Sequence, residues 1–275
     1  MRVLTQNLWG MGGSWPDRRA ALKEGLRAMR PDLIAFQEAV LDGEHDTARD
    51  LAGEGMHVVH QAAGLLDDGN CIAIASRWPV VDVREVGLHV SDRTADFPAT
   101  TLIAEVAVPL PVGPLLFVNH IPSWKPELEY EREVQTAAAA RCVEEIVARR
   151  PMHVVLAGDL DAVPEAASLR FLLGLQSLGD TSVRYRDAWA TVHPGEDGHT
   201  FTPRNPLVME HMDMRVEEGR RIDYVLVRCD QRGPTLRVDA CELAFSEPAG
   251  GVWASDHYGV VADLVPFDAR PVTSP

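Results

Sequence analysis

Apolar positions along the chain fall into two spacings. Short runs rich in β-branched residues recur at Val3–Leu8, Leu33–Phe36, Cys71–Ala75, Thr100–Val108, Leu115–Val118, Val154–Ala157, Ile222–Val227 and Val260–Val265. Their length and the turn residues around them predict strands. Helical spacing appears between them. Leu22, Leu26 and Met29 share one face of Arg18–Met29, which Pro16 and Asp17 open and Pro31 stops. Pro126 opens Glu127–Arg149, where early acids and late arginines complement the helix dipole. Glu165–Leu173 is a shorter helix after Pro164. Residues 193–219, with prolines, histidines and many charges, predict a long irregular loop near a site. No linker or repeat divides the chain, so residues 1–267 read as a single domain and 268–275 as a flexible C-terminal tail.

Composition narrows the class. With 275 residues, 46% hydrophobic and 24% charged, the chain is long enough to bury a substantial core and reads as globular, not as disordered or fibrous. Its 26 basic against 41 acidic residues leave a net charge of −15, and only Lys23 and Lys125 are lysines. Such a surface gains little from phosphate counterion release, so nucleic acid is disfavoured as a partner, though a local basic or metal-bearing cleft keeps it open. Cys71, Cys142, Cys229 and Cys241 are far apart and form no CxxC pair, which predicts free thiols. The N-terminus carries no apolar leader, and no run is long enough to be a transmembrane segment. A reduced, cytoplasmic protein is expected.

Candidate chemistry gathers at the ends of the apolar runs. Val3-Leu4-Thr5-Gln6 ends at Asn7, Leu33–Phe36 runs into Gln37-Glu38, and Leu116-Phe117-Val118 into Asn119-His120. Val154–Gly158 runs into Asp159 and Asp161, Asp223 lies in Arg221-Ile222-Asp223-Tyr224, and Ser255-Asp256-His257 precedes the last strand. One acid after a strand is ordinarily a turn or cap residue, and one histidine an ordinary surface or core residue. Together, however, these residues make an oxygen-rich set suited to Mg²⁺ or Mn²⁺, with two imidazoles for acid–base or phosphate-binding work.

In this order the segments resemble the endonuclease/exonuclease/phosphatase superfamily, the DNase-I-like metal-dependent phosphohydrolases. The matching stretches are Thr5-Gln6-Asn7, Phe36-Gln37-Glu38, Val118-Asn119-His120, Gly158-Asp159-Leu160-Asp161, Arg221–Tyr224 and Ser255-Asp256-His257, with Gly69–Pro79 and Thr200-Phe201 as secondary motifs. The resemblance implies an α/β (α+β) fold, a four-layer α/β/β/α sandwich of two mixed β-sheets flanked by helices, with the site at one rim. It also implies one or two Mg²⁺ or Mn²⁺ ions held by Glu38, Asn7 and Asp256, to which this chain's own Asp161 adds a candidate ligand. By the same resemblance His120, Asp159, Asp223 and His257 are catalytic: Asp223 orients His257, Asp159 aligns water and His120 binds phosphate or leaving group. Asn7, Asn70, Asp161 and Trp124 are expected to touch substrate. The family usually carries Asn where this chain has Asp161, and a carboxylate repels phosphate unless a cation intervenes. Asp159 and Asp161 therefore either recruit an extra metal or Asp161 caps its own loop.

The expected activity is hydrolysis of a phosphorylated small molecule, a nucleotide or a lipid-derived phosphate. The alternatives are a nuclease cutting DNA or RNA, and a catalytically silent relative that binds phosphate. Other strings carry less. Trp9–Gly13 lacks a nucleotide-loop spacing and reads as a plain flexible loop. His199-Thr200-Phe201 is a candidate lining of the cleft, Arg77 and Arg204 are candidates for a second phosphate, and Glu210-His211-Met212-Asp213 reads as a chance string in an acidic loop rather than a metal cluster.

Overall fold

The computed structural model describes residues 1–63, 68–95, 97, 99–212 and 214–267. In chain order its elements begin with β1 (Arg2–Asn7), α1 (Trp15–Met29), β2 (Leu33–Val40), α2 (Thr47–Ala52), β3 (His57–His60), β4 (Asn70–Ser76) and β5 (Val80–Gly87). Next come β6 (Thr100–Val106), β7 (Leu115–Ile121), α3 (Glu129–Arg149), β8 (His153–Asp159), α4 (Ala167–Leu172), β9 (Tyr185–Asp187) and α5 (Ala188–Val192). The last are α6 (Pro206–His211), β10 (Asp223–Asp230), β11 (Gly233–Pro234), β12 (Arg237–Ala244) and β13 (Gly259–Val265). The expected tail, 268–275, lies outside the described residues.

Two mixed sheets result. One runs β12-β13-β1-β2-β4-β3; the other runs β11-β10-β8-β7-β6-β5, with β9 added on β10. Period-two alternation sends each strand's side chains to two places. Val3, Leu33, Ala35 and Ile74 of the first sheet meet Leu102, Phe117, Val155 and Val225 of the second in the central core. Their neighbours face outward: Leu4, Ile34 and Phe36 pack on Leu22 and Leu26 of α1 and Leu51 of α2. Leu116, Val118 and Leu156 pack on Ala137, Ala140 and Val143 of α3. The layers are thus helix, sheet, sheet, helix, as the resemblance implied. A side chain as fully buried as Phe36 or Phe117 contributes roughly 1.5–3 kcal/mol.

Strand direction sets where the polar groups go. β1 and β2 are parallel, so Asn7 and Gln37-Glu38 emerge at one end of the first sheet. β7 and β8 are parallel in the second, and β10 runs against β8 with Asp223 paired to Asp159. β13 runs against β1, which brings the residues just before Gly259 to the same end. One rim of the sandwich therefore receives residues from both sheets.

Candidate active site

The rim stands on a buried polar bridge between the sheets. Asn119 points into the sandwich, donates from Nδ2 to the carbonyls of Phe36 (2.8 Å) and Ala73 (2.9 Å), and accepts from Gln37 Nε2 at 2.7 Å. The register of β2 against β4 shifts between Phe36 and Ala39, and the next residue after Gln37, Glu38, adopts φ 50°. A bulge of this kind re-aims a side chain that regular pleating would send elsewhere. Glu38 is turned onto the rim by a left-handed conformation that is costly for a non-glycine residue.

Asn7 joins the two sheets at the rim. Its Nδ2 donates to Glu38 Oε1 (2.9 Å) and Asp159 Oδ2 (3.0 Å), while its Oδ1 accepts the backbone N–H of Trp9 at 2.9 Å. The Trp9 contact fixes which way the amide faces. Asp159 Oδ1 accepts the N–H of Asp161 at 3.1 Å, and Asp161 itself lies at φ 48°. Across the rim, His257 Nδ1 donates to Asp223 Oδ2 at 3.0 Å and lies 3.7 Å from Asp159 Oδ2. Ser255 Oγ is 2.8 Å from the Asn7 carbonyl and 3.1 Å from Asp256 Oδ1, tying the Ser-Asp-His segment to β1. Thr200 Oγ1 receives the N–H groups of Ile222 and Asp223, and Phe201 pairs with His257 and tilts against its ring at 4.8 Å. The rest of the Arg-Ile-Asp-Tyr motif is scaffolding. Arg221 Nη1 binds Asp187 at 2.6 Å, and the Tyr224 hydroxyl donates to Ala162 or Arg221 carbonyls, each 2.7 Å away.

Burial and crowding set the charges. Glu38 is pushed up by desolvation and by the charge of Asp256. Asp159 is pushed well up by desolvation, then by Asp161 and Asp223. Asp161 is raised to about 7 by desolvation, with His257 and Arg132 offsetting part of that. Burial works against the His257 imidazolium, yet Asp223, Asp159 and Asp256 together hold its pKa well above the ordinary range. Asp256 is held below the usual carboxylate range because His257 and His211 outweigh its desolvation. The excess negative charge, and a buried Asp223 Oδ1 with no hydrogen-bond partner, fit a divalent cation. Ligand atoms of Asp159, Asp223 and His257 lie within 4.8 Å of one another, a grouping compact enough for one, but the hydrogen bond from His257 Nδ1 to Asp223 already engages that ring nitrogen.

The structure brings together Asn7, Glu38, Asp159, Asp161, Asp223, Asp256 and His257. It does not bring His120. With Asn119 facing inward, its neighbour must face outward, and His120 is fully buried against α3 with Nδ1 at 2.7 Å from Thr101 Oγ1 and Nε2 at 3.4 Å from Thr136 Oγ1. Desolvation lowers its pKa to about 3, which keeps it neutral. Asn70 sits at the rim end of β4 opposite Val40, with its backbone N–H on Asp68 and no side-chain hydrogen bond to the cluster. Trp124 is 43% exposed on the loop after β7, with Lys125 Nζ 5.8 Å from its ring, and does not contact the cluster. Arg77 is paired with Asp32 away from the rim.

Two rim residues carried no usable sequence signal. His211, at the end of α6, places Nε2 3.3 Å from Asp256 Oδ2; Glu210 beside it is exposed, and Asp213 is outside the described residues. Arg18 is only 2% exposed and donates to the carbonyls of Leu8, Gly12 (2.7 Å) and Ala254 (3.1 Å). It therefore fastens the Trp9–Gly13 loop, which sequence alone read as plain and flexible.

The fold and rim define a class: two packed mixed sheets that present carboxylates and an Asp–His pair at one end. The chain belongs to the endonuclease/exonuclease/phosphatase family, whose family model matches residues 4–257. No curated protein matches it significantly. Similar solved structures include truncated TDP2 from Caenorhabditis elegans, with TM-score 0.71, 19% identity and 96% of each chain covered. D. rerio TDP2 complexed with single-strand DNA product gives TM-score 0.72 and 19% identity over 95% of this chain and 97% of that one. The human Nocturnin catalytic domain with bound sulfate gives 0.73 and 15% over 97% and 94%. At these identities the likeness is one of fold.

Proposed function

We propose that the protein is a Mg²⁺- or Mn²⁺-dependent phosphoester hydrolase that directs water at the phosphorus of a small-molecule, nucleotide or lipid-derived phosphate. The observation that carries this reading is the His257–Asp223 contact at 3.0 Å, set across the rim from the Asn7-bridged Glu38 and Asp159. Asp223 fixes the imidazole through Nδ1 and favours its charged form, which leaves Nε2 for a phosphoryl oxygen. Asp159, close to the same ring, orients or deprotonates the attacking water. Glu38 and Asp256, with Asp161 beside them, would hold the cation. Asn7 faces these acids with its nitrogen, so its part is to hold Glu38 and Asp159 in place rather than to ligate. Bound there, a divalent ion supplies Lewis-acid stabilisation of developing negative charge on phosphorus oxygens. The four free cysteines, three of them buried, are in keeping with the reduced, cytoplasmic setting proposed for the chain. No described helix is long and apolar enough to cross a membrane.

A nucleic-acid substrate is the second reading, favoured by the fold shared with a TDP2 that was solved with single-strand DNA product. The chain's net charge carries no weight against it, because a total of −15 does not describe the potential at one rim.

Purified protein assayed with Mg²⁺ or Mn²⁺ against a panel of mono- and diesters, including a nitrophenyl diester, tests the first reading. Turnover that EDTA abolishes and that Glu38→Ala removes with folding intact is the expected result. No turnover on any ester, or turnover unchanged in Glu38→Ala, refutes it. Plasmid nicking and single-strand degradation, with rates that fall steeply with salt, would select the nuclease reading instead.

A further inference from the structure

We propose that His211 is a second catalytic imidazole, which contacts a non-bridging oxygen of the substrate's phosphoryl group from the Glu38–Asp256 side of the cleft. The inference rests on the phosphohydrolase reading and deepens it by naming a residue that grips the phosphate.

Three features place this ring. The helix that ends in His211 is docked directly on the site: Asn205, fully buried, caps α6 by accepting the N–H of Leu207 and donates from Nδ2 to the carbonyls of Ser255 (2.8 Å) and Asp256 (3.0 Å). The far end of α6 then carries Nε2 to 3.3 Å from Asp256 Oδ2. Aromatic contacts fix the ring plane. Trp9 stacks on it with centroids 5.4 Å apart and planes 27° apart, and Phe201 tilts against it at 6.3 Å. Trp9 is held in turn, with φ 54°, a backbone N–H on Asn7 and the Arg18 guanidinium 4.9 Å from its ring. Support of this kind on several sides is what a site group needs if it is to act without reorganising.

The imidazole is not sealed in. Its side chain is 36% exposed, whereas that of Asp256 is 5% exposed. With Nε2 engaged by Asp256, Nδ1 is the ring atom left for a substrate oxygen. His120, by contrast, has both nitrogens facing threonine hydroxyls beneath α3. Among the described histidines, His257 and His211 are the two that meet site carboxylates. Both rings lie against Phe201, His257 at 4.8 Å and His211 at 6.3 Å between centroids, which sets two imidazoles at one acid cluster, an arrangement suited to two oxygens of one phosphoryl group.

The test uses His211→Ala and His211→Gln at saturating Mn²⁺, with a nitrophenyl diester as substrate and inorganic phosphate as inhibitor. A hydrogen bond to a charged oxygen predicts a rise of about ten- to a hundredfold in KM and in the phosphate inhibition constant for the alanine variant. Trp9→Leu, which keeps the imidazole but removes its prop, is expected to show a smaller loss in the same direction. The thermal midpoint should hold, since His211 is partly exposed at a helix end. If phosphate inhibition stays within twofold while the Mn²⁺ activation midpoint moves, His211 merely supports Asp256 and the inference is overturned. Should the wild type turn over no ester, the phosphohydrolase reading fails separately. Calorimetric titration of inorganic phosphate into the Mn²⁺-loaded wild type and His211→Ala then decides: tighter binding by the wild type upholds the inference, and equal affinity, or no binding to either, overturns it.

Discussion

Asp161 combines two costs in one residue: a left-handed backbone at φ 48° and a carboxyl raised to about 7, chiefly by desolvation. An acid whose folded pKa exceeds its unfolded value, 3.8, binds its proton more tightly when folded. Stability then falls as pH rises from about 4 to about 7 and stays low above that. In EDTA, Asp161→Asn removes this dependence while keeping a side chain that tolerates the left-handed region. The variant should melt higher than wild type at pH 8, with the gap closed by pH 4. The shift bounds the gain at roughly 4 kcal/mol. Equal melting at both pH values would show that solvent already relieves the charge. Asp223→Asn tests the partner imidazole. An amide can present its N–H to Nδ1 and force the wrong tautomer, so kcat should fall about 10³- to 10⁴-fold with little change in KM; a loss under tenfold would remove Asp223 from that role. Single residues were legible where a motif sat at a strand end, as with Asn7, Glu38, Asp159, Asp223 and His257. They were not where a face had to be chosen. Asn119 and His120 are adjacent polar residues in one strand, and only the tertiary pairing of Asn119 with Gln37 decides which of them points inward. His211 and Arg18 were illegible because their importance comes from carbonyls and carboxylates distant in sequence.

At the level of elements, the rim is rigid because β2 is broken and then repaired. The register shift that frees Glu38 also withdraws regular pairing near Phe36, and the Asn119 amide takes up that carbonyl from the opposite sheet. Asn119→Leu should therefore cost about 3 kcal/mol or more, since it leaves the Phe36 and Ala73 carbonyls and the Gln37 amide buried without this partner. A urea midpoint lowered at constant m-value checks it; an unchanged midpoint would mean that water substitutes for the amide. Gly158 makes a related demand. A Cβ there would collide with the backbone carbonyl of His120, so the strands β7 and β8 can approach only over glycine. The long elements were legible for ordinary reasons: α1 and α3 from their face and proline starts, the central strands from apolar runs. The ones that escaped are edge or short strands. β5 exposes Val81 and Val83 and intersperses charges, β12 breaks its alternation between Val238 and Ala240, and β3 has only four residues. An edge strand buries too little to imprint a clean period.

Across the whole molecule, the two sheets are held together by their shared core, and at the rim each presents acids to the other. Glu38, Asp256 and Asn7 come from the first sheet's end, Asp159, Asp161 and Asp223 from the second's. Without a cation the raised pKa values of Glu38, Asp159 and Asp161 record mutual repulsion and desolvation across that junction. A divalent ion held between the sheets would convert this liability into a cross-link, so folding and metal affinity are coupled. Saturation at a hundredfold excess over Kd adds about 2.7 kcal/mol, which for a chain of this size raises the melting midpoint by roughly 5–10 °C. The rise should be larger at pH 8 than at pH 5, because protons compete with the ion for the raised carboxyls, and should shrink in Glu38→Gln. Differential scanning with Mn²⁺ and Mg²⁺ at both pH values measures it. A midpoint indifferent to either ion at millimolar concentration would separate the acid cluster from metal binding altogether, and would leave action on a phosphate to the rim's two imidazoles, His257 with Asp223 and His211 with Asp256.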